Sequence, residues 1–253
     1  MHHEPRQFDA VLCDIDGCLG PESTAPFDAH ALARLADHNR RAAEHGDRPL
    51  VTLCSGRPQP FAEALCRVIH NHSLPVVCEN GVWLFDPASG AYLRDPAITP
   101  EHLDAVAGAE AWIESQFGPT GVVIQPGKVA SVSIWHPDTP FLMSLIPRLR
   151  EVFADHGWPF RVSNTVRWIN CDLAFVSKGT GVERFSAHTG IPRERLAGIG
   201  DTLSDLAIAD RVVFFACPDN ADEALKAKAT YVAPVPEIAG VLHILDRLAA
   251  GRV

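Results

Sequence analysis

Between Phe8 and Gly17 the chain reads Phe-Asp-Ala-Val-Leu-Cys-Asp-Ile-Asp-Gly. The apolar run Ala10 to Cys13 has the length and character of a strand buried in a core. It runs straight into two carboxylates, Asp14 and Asp16, one residue apart. Burying a carboxylate without a partner costs several kcal/mol. A pair of them at the end of a core strand therefore implies something that neutralises them, and Mg²⁺, a hard cation that takes oxygen ligands, is the economical choice. In open α/β sheets ligands bind in the crevice outside the carboxyl ends of the strands, which is where this pair falls.

The remainder of the chain supports such a sheet. Strand-like and helix-like stretches alternate: a helix over 28–44, a buried strand at 50–54, a helix over 61–70 and a third short strand at 75–78. Such alternation predicts parallel strands with crossover helices. From Val82 the rhythm changes. Hairpin signals flank Asp86-Pro87-Ala88-Ser89-Gly90 and Pro126-Gly127, helices are expected over 100–117 and 141–156, and a closing strand pair at 160–163 and 166–170. The alternation resumes near Asp172, with a helix from Lys178 to His188, strands at 196–199 and 212–215, and a helix over 238–250. The expected fold class is thus α/β: a doubly wound, mainly parallel, Rossmann-like core of residues 1–82 and 171–253, with an inserted α+β cap over 83–170.

Composition narrows the function. Apolar residues make up 47% of the 253 positions, enough for a substantial core, and the formal net charge of −9 argues against nucleic acid as a partner. No run of 18 apolar residues suggests a membrane span, and residues 1–6 show no apolar leader. The seven cysteines are scattered, without a CxxC pair, and read as reduced core thiols of a cytoplasmic protein. The oligomeric state is expected to be monomer or homodimer.

Four polar clusters fall at predicted strand ends or at a helix start: Asp14/Asp16, Ser55-Gly56-Arg57, Lys178, and Asp201/Asp205. In a parallel sheet these points converge on one rim. Four carboxylates, a hydroxyl, free backbone N–H groups and a lysine suit phosphoryl transfer. A carboxylate can attack phosphorus, a cation can relieve the repulsion between the two anions, and the donors can hold the equatorial oxygens in the transition state. Blander roles stand beside these. Asp205 could serve a helix N-terminus, Arg57 could pair with a core carboxylate, and Lys128 and Arg167 could be ordinary sheet-face residues.

In order and placement these motifs resemble the haloacid dehalogenase superfamily of phosphatases, in particular the members with a large α/β (class IIB) cap, which are similar to sugar-phosphate phosphatases. Asp14-Ile15-Asp16-Gly17-Cys18-Leu19 is similar to the first motif, Ser55-Gly56-Arg57 to the second, Lys178-Gly179 to the third and Gly200-Asp201 with Asp205 to the fourth, while Glu79-Asn80-Gly81 is similar to a segment preceding this type of cap. The resemblance implies a Mg²⁺-dependent hydrolase of a small phosphorylated metabolite, a sugar phosphate or small phosphorylated acid. Asp14 would be the nucleophile, and Asp16 the general acid and then base. Ser55, Gly56 and Lys178 would bind phosphate. Asp14, the carbonyl of Asp16, Asp201 and Asp205 would ligate metal, and Lys128 and Arg167 would select substrate from the cap. Cys18, where the family usually has Thr, and Ser204, where relatives often have Asn, depart from the pattern. A phosphotransferase or mutase of the same superfamily, and a receiver-like signalling protein that holds phosphate without turnover, are the alternatives.

Overall fold

The computed structural model describes residues 6–22 and 24–252; residues 1–5, read above as lacking a leader, lie outside them. The chain divides into two compact units, Met1–Leu93 with Lys178–Val253, and Arg94–Ser177.

The first unit opens with β1 (Ala10–Cys13), α1 (Ala29–His45), β2 (Leu50–Leu53), α2 (Gln59–Val68), β3 (Val76–Cys78) and the hairpin β4 (Trp83–Asp86) and β5 (Ala91–Arg94). The second unit holds α3 (Pro100–Phe117), β6 (Val123–Ile124), β7 (Ser131–Trp135), α4 (Thr139–Ser144), α5 (Ile146–Asp155), β8 (Phe160–Asn164) and β9 (Trp168–Leu173). The first unit resumes with α6 (Lys178–Thr189), β10 (Leu196–Ile199), α7 (Leu206–Ala209), β11 (Phe214–Cys217), α8 (Glu223–Lys226), β12 (Tyr231–Val232) and α9 (Glu237–Ala249).

The main sheet has the order β12-β11-β10-β1-β2, and every pair is parallel. Both faces are covered, and the two-residue period of a strand decides which residue goes where. Val11, Cys13, Val51, Leu53, Ala197 and Ile199 join Leu35 of α1 and Val241, Ile244 and Leu245 of α9 in one cluster. Ala10, Leu12, Leu196 and Phe215 join Val182 and Phe185 of α6 in the other. The chain leaves β1 for β2 on one side and later returns as β10 on the other. This makes the β1/β10 boundary the topological switch point, where ligands bind in open sheets.

In the second unit, antiparallel strands run in the order β6-β7-β9-β8, with α3 against β7 and α5 against β8. Ser133 pairs with Asn170 across β7 and β9, and Ile134 with Ile169 on the opposite face.

Several sequence expectations change. The strand at 75–78 does not extend the parallel sheet as a full member. It forms a three-stranded sheet with β4 and β5, antiparallel to β4, and meets the main sheet at an isolated parallel bridge between Val77 and Cys54, the residue just beyond β2. The helix expected over 141–156 is two helices, because Pro147, which has no N–H to continue a ladder, opens the second. The units divide at 93/94 and 177/178, where the sequence suggested 82/83 and 170/171. The hairpin belongs with the core because β4 pairs with β3, and because Arg184 of α6 donates to the Gly81 and Leu93 carbonyls, each at 2.7 Å. The α8 and β12 elements, too short to carry a periodic signal, were not anticipated.

Candidate active site

Register brings the motif residues together. Cys13 lies beside Leu53 and Ile199 in adjacent parallel strands. Asp14, Ser55 and Asp201 follow within two residues and so share the carboxyl rim. The Asp14 N–H donates to the Ile199 carbonyl at 3.0 Å and the Ser55 N–H to the Val77 carbonyl at 3.0 Å. Lys178 is the first residue of α6, whose Val182 and Phe185 seat the helix on the sheet.

Lys178 Nζ donates at 2.6 Å to Asp14 Oδ2 and at 2.6 Å to Asp205 Oδ1. All three side chains are buried. Asp14 Oδ1 accepts the Ile15 N–H at 2.7 Å. Asp205 Oδ2 accepts the backbone N–H groups of Asp201 and Thr202 at 3.0 and 3.1 Å, so both of its oxygens are engaged. Asp201 differs: its Oδ1 is buried and has no hydrogen-bond partner. Ligand oxygens of Asp14, Asp201 and Asp205 all lie within 4.8 Å of one another. Gly17 (φ +74°) makes this approach feasible, since a Cβ there would lie 1.8 Å from Asp201 Oδ2.

The electrostatics are strained in the direction a cation corrects. Burial, with repulsion from Asp205 and Asp16, pushes the Asp14 carboxyl up to about 7 against the opposing pull of Lys178. Burial, with Asp14 and Asp205, pushes Asp201 up to about 9. Burial works against the Lys178 ammonium, but Asp14 and Asp205 hold its pKa well above the ordinary value. One lysine thus faces three carboxylates, and one carboxylate oxygen is orphaned. Such oxygens are the donors a hard divalent cation takes, and a bound cation inverts the local pKa pattern. The residues fit Mg²⁺.

Of the remaining sequence candidates, Asp16 is not among the three clustered carboxylates. Arg57 Nε donates to its Oδ2 at 2.7 Å and a terminal guanidinium nitrogen to its Oδ1. Arg57, stacked over Phe61, is therefore the partner of a carboxylate. Ser55 is buried, and its Oγ accepts the Arg57 N–H at 3.3 Å. Gly56 lies under the Asn80 side chain. Cys18 is buried beside Cys13, and burial and that thiol raise its pKa well above the usual range. Ser204 is exposed and shares a hydrogen bond with Thr202 at 2.9 Å. In the second unit Lys128 Nζ donates to Ser133 Oγ at 2.6 Å, and Arg167 is exposed on the β8–β9 turn. Two residues escaped the sequence reading. Asn220 Nδ2 donates to the Gly17 carbonyl at 2.9 Å, and Asp222 Oδ2 accepts the Leu203 N–H at 3.1 Å. Their one sequence signal is position, just beyond the end of β11 on the same rim.

The architecture is a doubly wound α/β sheet with a buried carboxylate–lysine cluster at its switch point, interrupted in sequence by an α+β insert. Residues 172–245 match the family of haloacid dehalogenase-like hydrolases. A phosphoglycolate phosphatase of Methanothrix thermoacetophila is 39% identical over 79 residues, 31% of this chain. That match spans only 36% of the relative's length. A phosphoglycolate phosphatase of Halorubrum lacusprofundi is 28% identical over 94% of this chain and 96% of its own. A crystal structure from Thermoplasma acidophilum shares the fold, with a TM-score of 0.74 over 96% of this chain and 98% of that one, at 20% identity. Over these stretches the chain is similar to haloacid dehalogenase-like hydrolases.

Proposed function

We propose that the protein is a Mg²⁺-dependent phosphomonoesterase that works through an aspartyl phosphate on Asp14 and acts on a small phosphorylated metabolite. The observation that carries this reading is the buried cluster at the switch point, where Lys178 bridges Asp14 and Asp205 while Asp201 Oδ1 has no partner. Asp14, Asp201 and the backbone carbonyl of Asp16 would hold the ion, with Asp205, already engaged at both oxygens, suited to ligation through water. The ion would neutralise the anions that otherwise repel one another and the phosphate.

The chain's own residues supply the rest. An Asp14 oxygen forms a bond to phosphorus as the bond to the leaving oxygen breaks, and Asp16 delivers the proton that the leaving oxygen needs. Asp16 then takes a proton from water as that water displaces Asp14 from phosphorus, releasing inorganic phosphate. Lys178 and Ser55 stabilise the phosphoryl oxygens throughout. In the present arrangement Arg57 holds Asp16 as a paired carboxylate, so the proton-transfer role requires that pair to loosen when substrate enters.

The relatives' names favour a small phosphorylated acid over a sugar phosphate. A panel of both kinds, with released phosphate as readout, tests the reading with Mg²⁺ present and with excess chelator. Hydrolysis that depends on Mg²⁺ is expected. Full activity in chelator, or a stable phosphoprotein that never releases phosphate, overturns it.

A further inference from the structure

The loop after β11, Pro218 to Asp222, grips both acidic loops of the site. Asn220 Nδ2 donates to the Gly17 carbonyl at 2.9 Å, and its Oδ1 accepts the Glu237 N–H at 2.7 Å. The amide orientation is fixed by chemistry, because an N–H on one side and a carbonyl on the other permit one assignment. Gly17 is the residue whose missing Cβ lets Asp201 approach. Two residues on, Asp222 holds the other loop twice. Its N–H donates to the Asp201 carbonyl at 2.8 Å, and its carboxylate accepts the Leu203 N–H at 3.1 Å. Gly17 and Asp201, which face one another, are thus both tied to one five-residue segment anchored at the start of α9.

We infer that Asn220 and Asp222 are positioning residues that set the spacing between the Asp14–Gly17 loop and Asp201, and through it the affinity of the site for a divalent cation. This rests on the Mg²⁺-dependent reading above. The Asn220 amide is spent on two backbone partners, one of them the Gly17 carbonyl, next in the chain to Asp16. The Asp222 carboxylate holds the Leu203 N–H, between Asp201 and Asp205. Both side chains thus steady backbone adjacent to ligand positions, the role in which outer residues typically change metal affinity by about 10–100-fold. Because the two grips fall on opposite loops, loss of either side chain loosens one wall of the gap, although the Asp222 N–H to Asp201 bond remains.

The test measures Mg²⁺ binding by calorimetry on the full chain, with melting in chelator as a separate readout. Asn220→Ala and Asp222→Ala should each weaken the Mg²⁺ dissociation constant by about 10–100-fold, and excess Mg²⁺ should restore most turnover of p-nitrophenyl phosphate. Asp222→Asn keeps an acceptor for the Leu203 N–H and should bind Mg²⁺ within a few fold of the parent protein. If Asn220→Ala fails to fold, the Asp222→Ala and Asp222→Asn pair decides the matter. Variants that melt lower in chelator yet bind Mg²⁺ with the parent constant would show a purely structural role and overturn the inference. A parent protein that binds no Mg²⁺ and releases no phosphate would instead remove the functional reading itself.

Discussion

Asp14 and Asp16 are one residue apart, yet they occupy different environments. Asp14 is buried against Lys178, whereas Asp16 is partly open and held by Arg57. Their substitutions should therefore fail at different steps. On the proposed mechanism, Asp14→Asn would remove the attacking carboxylate, so no phosphoenzyme should form. Asp16→Asn would keep the proposed nucleophile and lose proton transfer, typically worth ~10²–10⁴-fold in rate. With p-nitrophenyl phosphate, whose leaving group needs little protonation, Asp16→Asn should accumulate phosphate on the Asp14 peptide. Acid-quenched mass spectrometry reads this directly, and turnover surviving in Asp14→Asn would refute the assignment.

A second residue-scale prediction concerns His38. It is buried in α1, with Nε2 2.9 Å from the Pro49 carbonyl, so the neutral ring donates there. Burial lowers its pKa below the ordinary 6.5, aided by Arg48 and opposed by that hydrogen bond and by Asp246 and Asp47. Below pH 6.5 the unfolded chain takes up a proton that the folded chain refuses. Stability from this site is therefore fully present above that pH and falls as pH drops towards the folded value. Because the raised Asp14 and Asp201 carboxyls act in the opposite sense over this range, the site is read by difference: the urea midpoint of His38→Gln relative to the parent protein should rise as pH drops from 8 to 5.

At the scale of elements, α1 shows how local signals and packing divide the work. Asp28 caps its start by accepting from the His30 and Ala31 N–H groups at 2.9 and 3.0 Å, and Gly46 ends it in a left-handed turn. Its position is decided by its buried face. Leu35 is fully buried in the larger core cluster, and Asn39 reaches the Val51 and Ile69 carbonyls at 3.0 and 2.8 Å. Leu35→Ala should cost about 2–5 kcal/mol in denaturant unfolding. Val68→Ala, at a position 54% exposed on α2, should change stability by no more than about 0.5 kcal/mol. Equal losses at both would contradict the packing described.

For the whole molecule, a ligand that binds only the folded core should stabilise it by mass action. On the proposed reading Mg²⁺ is such a ligand, and at a hundred times its dissociation constant it should contribute about 2.7 kcal/mol, a rise of roughly 5–11 °C in the transition of the core unit. Asp201→Ala should abolish the rise, and calorimetric melting with and without chelator measures both. The second unit invites a different test. Lys128→Ala and Arg167→Ala should raise KM for the preferred substrate and leave p-nitrophenyl phosphate almost untouched. Equal losses on both substrates would assign these residues to folding.

The order of helices and strands, and the placing of carboxylates at strand ends, were determined by the sequence alone, because apolar runs, caps and turn residues act over a few positions. Tertiary structure decided which elements closed one another's hydrogen bonds. Lys178 reaches Asp14 across 164 positions and Asn220 reaches Gly17 across 203. No local periodicity encodes either contact. The same holds for Arg57, whose pairing with a carboxylate could be suggested from sequence but whose partner, Asp16, lies 41 positions away, and for β3, whose apolar residues suit either sheet until β4 folds back onto it. Local propensity names the parts. Partners for buried charges and open strand edges are settled only when the whole chain has closed around them.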